Sequence, residues 1–182
     1  GPYKKVIYAL QEGPDSLLIT VDDDTMYPPD LVESLYRAHL ERPGVVYCHR
    51  GHQLRTDEAG RPLPYASWSR GDGSHQPSAR VFPTGIGGVL YFPGALHPEV
   101  LNREQFMRLC PRADDIWLKA MSLMQGVDCA VVPDTRHWKD RFLTIPGSQD
   151  DSLKNENWDR QQGNDSKISA VFGEYQLYEH LV

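Results

Sequence analysis

The sequence predicts an α/β fold with a mixed, mostly parallel sheet flanked by helices. Two observations predict it. Four short apolar runs recur along the chain: LLITV (Leu17–Val21), VVYC (Val45–Cys48), VLYF (Val89–Phe92) and DCAVV (Asp128–Val132). Near-continuous apolar runs of this length suit strands covered on both faces, as in parallel sheets. Between them lie segments whose apolar residues recur at spacings of three and four, the signature of amphipathic helices. Alternation of the two patterns is what an α/β layer arrangement requires.

The size and composition fit one such domain spanning residues 1–182. A chain of 182 residues with 40% apolar and 24% charged residues is ordinary for a globular protein. It needs no covalent staples, because a chain this long buries roughly 68–70% of its unfolded surface. No apolar run approaches the ~20 residues of a membrane helix. The formal charge of −6, from 25 acids and 19 bases, argues against nucleic acid as the partner. A phosphate-bearing small ligand stays open. The three cysteines, Cys48, Cys110 and Cys129, are too few and scattered for a disulfide framework and read as free thiols. With no leader pattern at the start, the expected location is cytoplasmic, or peripheral at the inner face of the membrane.

Taken in order, Tyr3–Gln11 forms a helix whose Val6, Ile7 and Leu10 share a face, and Gly13–Ser16 breaks it. The Leu17–Val21 strand then runs into Asp22, Asp23 and Asp24. A helix follows, with Pro29 in its first turn and Asp30 and Glu33 at the positive end of its dipole. Leu31, Leu35 and Ala38 make its stripe, and Arg42-Pro43-Gly44 ends it. After Val45–Cys48 comes a Gly-, Pro- and Ser-rich excursion over residues 53–83, with a hairpin around Asp57–Arg61. Such long loops are usually functional. GIGGVLYFPG (Gly85–Gly94) is a glycine turn leading into a strand. Helices follow over Asn102–Leu109 and from Asp114 to Gly126, which suits a left-handed C′ position. Residues 144–167 read as polar loop and Ile168–Leu181 as a last helix.

The strongest chemical signal is ITVDDDTMYPPD. A buried strand ending in acids puts carboxylates at the carboxyl edge of a sheet, where open α/β folds bind ligands. Alternation sends Asp22 and Asp24 to one side, and carboxylate pairs are hard ligands for Mg²⁺ or Mn²⁺. Asp114-Asp115 opens a helix. One acid of the pair can be its cap, but two successive acids cannot both be, so the second is a candidate general base. His137, just past a strand, could complete a metal site if its loop turns toward Asp24. The glycines Gly87 and Gly88 fit no phosphate-loop fingerprint and read as a turn shaping a sugar pocket. Trp68, Trp117 and Trp138 offer stacking faces to a sugar, although Trp117, on the apolar side of its helix, suits the core better.

In this order, ITVDDDTMYPPD, VVYCHRGH, GIGGVLYFPG and CPRADDIWLKAM resemble bacterial glycosyltransferases of the GT-A fold, closest to the family 2-like inverting enzymes that build surface polysaccharides. The resemblance covers roughly residues 1–138. It implies that Asp22–Asp24 match the D-x-D element, with Asp22 and Asp23 facing a nucleotide-sugar donor and Asp24 holding Mn²⁺ or Mg²⁺. It implies Asp115 as general base beside Asp114, His137 as a metal ligand, and Lys4 and Lys5 near the donor diphosphate. Gly87, Gly88, Trp68 and Trp117 would form the acceptor side. A β-α-β-α-β unit that precedes the first helix in that fold is not in this chain. The expectation is therefore a C-terminal portion of such a domain, with an exposed sheet face that a second copy could cover. Two other readings remain: a metal-dependent phosphohydrolase or nucleotidyltransferase, which would want two metals and more acids, and a non-catalytic sugar-binding remnant.

Overall fold

The computed structural model describes residues 1–70, 76–145 and 163–181. It is a mixed α/β protein. Its main sheet contains β1 (Leu18–Thr20), β7 (Val89–Tyr91), β3 (Val46–Cys48) and β8 (Cys129–Val131), side by side in that order. β7 runs antiparallel to both neighbours, and only β3 and β8 pair in parallel. The expected mostly parallel sheet is thus corrected. The cause lies in the connections. The chain leaves β3 at its carboxyl end and enters β7 from that same end, so β7 runs backwards. From β7 the chain passes through α3 (Arg103–Leu109) and α4 (Asp114–Met124) before β8. The two helices return the chain to the end of the sheet where β7 finishes, so β8 runs opposite to β7 and parallel to β3.

The excursion is not plain loop. β4 (Gly51–Gln53) pairs antiparallel with β5 (Ser69–Arg70) and β6 (Val81–Pro83) in a second sheet. The expected hairpin is present: Thr56 bridges Pro62, and the Asp57 N–H donates to the Arg61 carbonyl at 2.9 Å. Leu54, Trp68, Val81 and Phe82 are buried in the same core as α4.

α1 (Lys4–Glu12) packs beside β1, burying Val6. Tyr3, just before it, stacks on Phe106 with ring centroids 4.0 Å apart and donates to the Cys110 carbonyl at 2.6 Å. These contacts fix α1 against the α3–α4 corner. α2 (Leu31–Glu41) covers the sheet with Leu31 and Leu35. β1 ends the described sheet, and the flanking Leu17 and Val21 are exposed rather than covered on both faces. Tyr8, and Val32, Tyr36 and Leu40 along one face of α2, are also exposed.

After β8, α5 (Trp138–Arg141) leads into β9 (Leu143–Thr144), which pairs with β2 (Thr25–Met26). The last helix, α6, covers Asn164–Glu174, earlier than expected, and a left-handed Gln176 (φ 53°) separates it from a closing 3₁₀ turn over Leu177–Leu181. Most of the polar loop expected over 144–167 lies outside the described residues. Among the described residues no helix is long and apolar enough to cross a membrane.

Candidate functional site

One row of residues crosses the main sheet: Thr20 opposite Val89, Val89 opposite Cys48, and Cys48 opposite Val131. Just beyond this row lie Asp22–Asp24 after β1, Gly85–Gly88 before β7, His49-Arg50 after β3, and Asp134–His137 after β8. Four segments far apart in sequence therefore share the carboxyl edge, the usual ligand edge of open α/β sheets.

At this edge Lys5 gathers the acids. Its Nζ is 2.6 Å from Asp22 Oδ1 and 3.1 Å from Asp114 Oδ2. Asp114 is buried, and its Oδ2 takes this ion pair without a further hydrogen bond. The Gly85 N–H is shared by both oxygens of Asp115, each at 3.1 Å. The Asp22 N–H donates to the Tyr27 hydroxyl at 2.8 Å, which pins the acid loop at its first residue. Burial opposes the charge on Lys5, but the carboxylates of Asp114, Asp115 and Asp22 outweigh it and hold the ammonium charged well past its ordinary range.

Asp115 is pushed up to about 7, by burial first and then by the Asp114 carboxylate, with Lys5 and the Gly85 N–H opposing. Its side chain keeps partial exposure. A carboxylate so poised accepts a proton near neutral pH, the match a general base needs. The same shift makes a stability prediction. A carboxyl whose folded value is raised stabilises the fold fully below its unfolded value, and that contribution is lost as pH rises toward the folded value. For Asp115 the window runs from 3.8 to about 7. Asp115→Asn should therefore melt higher than the parent at pH 8 and at the same temperature near pH 4. Each kcal/mol relieved is worth about 2–4 °C in a domain of this size, and calorimetry at the two pH values reads it.

Gly85 is the residue that the sequence reading missed. A Cβ there would lie 3.0 Å from Lys5 Nζ and 3.1 Å from Asp115 Oδ1. Both neighbours are ends of flexible side chains, so Gly85→Ala should cost little stability. It should nevertheless displace the two groups that define the site, where misplacement by about 1 Å costs on the order of 10²-fold in rate. The expected result is a melting temperature close to the parent with turnover reduced about 10–100-fold.

The remaining candidates divide. Lys4 is exposed, about 100° round the helix from Lys5, and does not join the acids. Asp23 is exposed in the turn. Asp24 Oδ1 accepts from Thr25 Oγ1 at 3.2 Å. The segment after β8 does fold back over this loop, through the β2–β9 pairing and the Ile145 N–H on the Asp24 carbonyl at 2.9 Å. His137 itself is exposed and caps α5, its Nδ1 accepting the Lys139 N–H at 3.3 Å.

Among the described residues no group of three or more His, Cys, Asp or Glu side chains stands together to hold a metal. Of the residues expected to hold Mn²⁺ or Mg²⁺, Asp22 has one oxygen on Lys5 and His137 has its Nδ1 on the Lys139 N–H. Trp68 and Trp117 are not stacking faces. They are 5% and 0% exposed, and their indole N–H groups donate to the Leu63 and Val100 carbonyls. Gly87 and Gly88 serve the turn: a Cβ on Gly87 would stand 2.6 Å from the Arg50 backbone nitrogen, and Gly88 has φ +74°.

Beside the acids lies a second polar network that the sequence did not announce. His49 Nε2 donates to Ser34 Oγ at 2.8 Å, and its Nδ1 accepts from Arg141 Nη1 at 3.3 Å. Burial, then the Arg141 charge, lowers His49 to about 4, so the ring is neutral. Arg141 pairs with Asp134, which also pairs with Arg136, and Arg136 reaches Asp30. Trp138 stacks on Phe142 at 3.9 Å.

Compared with protein families, curated proteins and solved structures, the chain matches none.

Proposed function

We propose that this chain is the acceptor-side portion of an inverting glycosyltransferase with a GT-A-like arrangement, moving a sugar from a nucleoside-diphosphate donor to a hydroxyl acceptor. One observation carries the reading: a half-buried carboxylate, Asp115, poised near neutral at the carboxyl edge of the sheet, beside Asp22, Asp114 and Lys5. The shared sheet edge and the order of the motifs support it as well.

In this reading Asp115 takes the proton from the attacking hydroxyl while that oxygen bonds to the anomeric carbon from the face opposite the departing diphosphate. Two features hold Asp115 for this work. The Gly85 N–H fixes both oxygens, and Asp114 keeps the carboxylate basic by like-charge repulsion. Lys5 offsets part of the repulsion, which lets three acids share the edge, and contributes positive charge where the diphosphate leaves. A family of this kind implies a Mn²⁺ or Mg²⁺ ion. Since the residues present do not gather into a ligand set for it, the proton transfer is derived from the chain's own groups alone.

The test is thermal stabilisation by UDP or GDP, each with and without Mn²⁺, against a phosphomonoester. Stabilisation by a nucleoside diphosphate above that by the monoester is the expected result. Preferential stabilisation by the monoester would favour the phosphohydrolase reading instead.

A further inference from the structure

Inside the core, away from the acid edge, a lysine and a cysteine meet. Lys119 lies on α4, one turn beyond Asp115, and is 2% exposed. Its Nζ donates to Cys129 Sγ at 3.5 Å. Among the described residues no carboxylate lies within ion-pair distance of it. A buried ammonium without an acid is costly, so this amine is an unusual resident for an apolar cluster. Cys129 opens β8 and is itself buried, with Ser122 Oγ 3.8 Å from its sulfur.

We propose that Lys119 and Cys129 are an oxidisable pair, which hydrogen peroxide joins through a sulfenamide N–S bond. In the first step the Cys129 sulfur attacks peroxide. The O–O bond breaks, sulfur is oxidised to sulfenic acid, and peroxide is reduced, releasing one water. In the second step Lys119 gives up its ammonium proton to water during the opening, the neutral nitrogen attacks the sulfenic sulfur, the N–S bond forms, and the S–O bond breaks with loss of a second water. In sum one thiol, one ammonium and one peroxide give one N–S bond, two waters and one proton released to solvent. Condensation of a sulfenic acid with a nearby nitrogen is established sulfur chemistry. Here the nitrogen already holds a hydrogen bond to the sulfur. Peroxide is little larger than water and enters by local opening of the core.

Cys48 is the rival nucleophile, and geometry disfavours it. It sits on β3 opposite Val131, whereas Cys129 is opposite Val46, so the two thiols are diagonal across the ladder. The Cys48 thiol is directed at the Ala130 carbonyl, 3.5 Å away. The cross-link would remove an uncompensated charge from the core and tie α4 to β8, so the oxidised protein should melt at a higher temperature.

Peptide mapping of the peroxide-treated protein tests this. Trypsin normally cuts after Lys119 and separates Ala113–Lys119 from Ala120–Arg136. The expected product is a single Ala113–Arg136 peptide, two hydrogens lighter, that reverts with dithiothreitol. It should form unchanged in Cys48→Ser. In Lys119→Met it should be replaced by a Cys129 sulfenic acid that dimedone captures. A disulfide joining Cys129 to Cys48 would overturn the proposal. So would Cys129 oxidised with cleavage after Lys119 intact, or Cys129 left unmodified. If Lys119→Met fails to fold, the wild-type and Cys48→Ser maps decide.

Discussion

In any form of the protein that transfers sugar, Asp115→Asn should lower turnover about 10²-fold or more while leaving donor affinity within a few-fold of the parent. The substitution keeps the size of the side chain and an oxygen for the Gly85 N–H, which Asp115 now holds at 3.1 Å. It removes the basic carboxylate. Asp114→Asn is the control. Its carboxylate faces Lys5 at 3.1 Å rather than the half-open side of the site, so its loss should weaken the field around Asp115 and lower the pH at which Asp115 ionises, with a milder effect on rate. Rates at saturating donor and acceptor, with melting temperatures to show that each variant is folded, separate the two. Near-parental turnover for Asp115→Asn would remove Asp115 from the chemistry. A simple helix cap would show only a small stability loss at either acid.

Asp134→Ala should destabilise the protein by about 3–5 kcal/mol, the usual cost of removing one partner from a buried ion pair. The Asp134 and Arg141 side chains are only 9% and 8% exposed and meet at 3.1 Å. Without Asp134 the Arg141 guanidinium keeps a contact to the neutral His49 ring but loses its carboxylate. The Arg136 hydrogen bonds hold the Asp134 carboxyl down at about 2, so its stabilising contribution is present above the ordinary carboxylate value and is lost as pH falls through about 2. Urea titration at neutral pH should therefore show the full loss, and the gap between parent and variant should narrow in strong acid. Parental stability at neutral pH would mean that water, rather than Asp134, compensates Arg141.

Much of this molecule can be read from local sequence. LLITV followed by three aspartates announces a strand end, and the acids do lie at the carboxyl edge. Ile116, Ala120 and Leu123 announce α4 with its acid pair at the start. The direction of β7 is not legible, because it depends on which end of the sheet the excursion returns to. The second small sheet is equally hidden, since strands of two or three residues are too short to show a period. Trp68 looks available in a Gly- and Pro-rich stretch only until Leu54 and Phe82 are known to fold beneath it. The break at Gln176 carries no glycine to mark it. Gly85 stands among other glycines, and nothing local says that its N–H meets a carboxylate thirty residues away. Nothing local says that Lys5, expected near the donor diphosphate, also pairs with Asp22 and Asp114 from two other elements.

The most direct test of the central claim is the pH dependence of sugar release from a nucleotide sugar, read together with the anomeric configuration of the first product by NMR. Water or an added sugar serves as acceptor. The proposal predicts inversion at the anomeric carbon, and a rate that rises with pH through about 7 in the parent, the value to which Asp115 is pushed. That limb should vanish in Asp115→Asn. Retention of configuration, or the same pH limb in parent and variant, would contradict it.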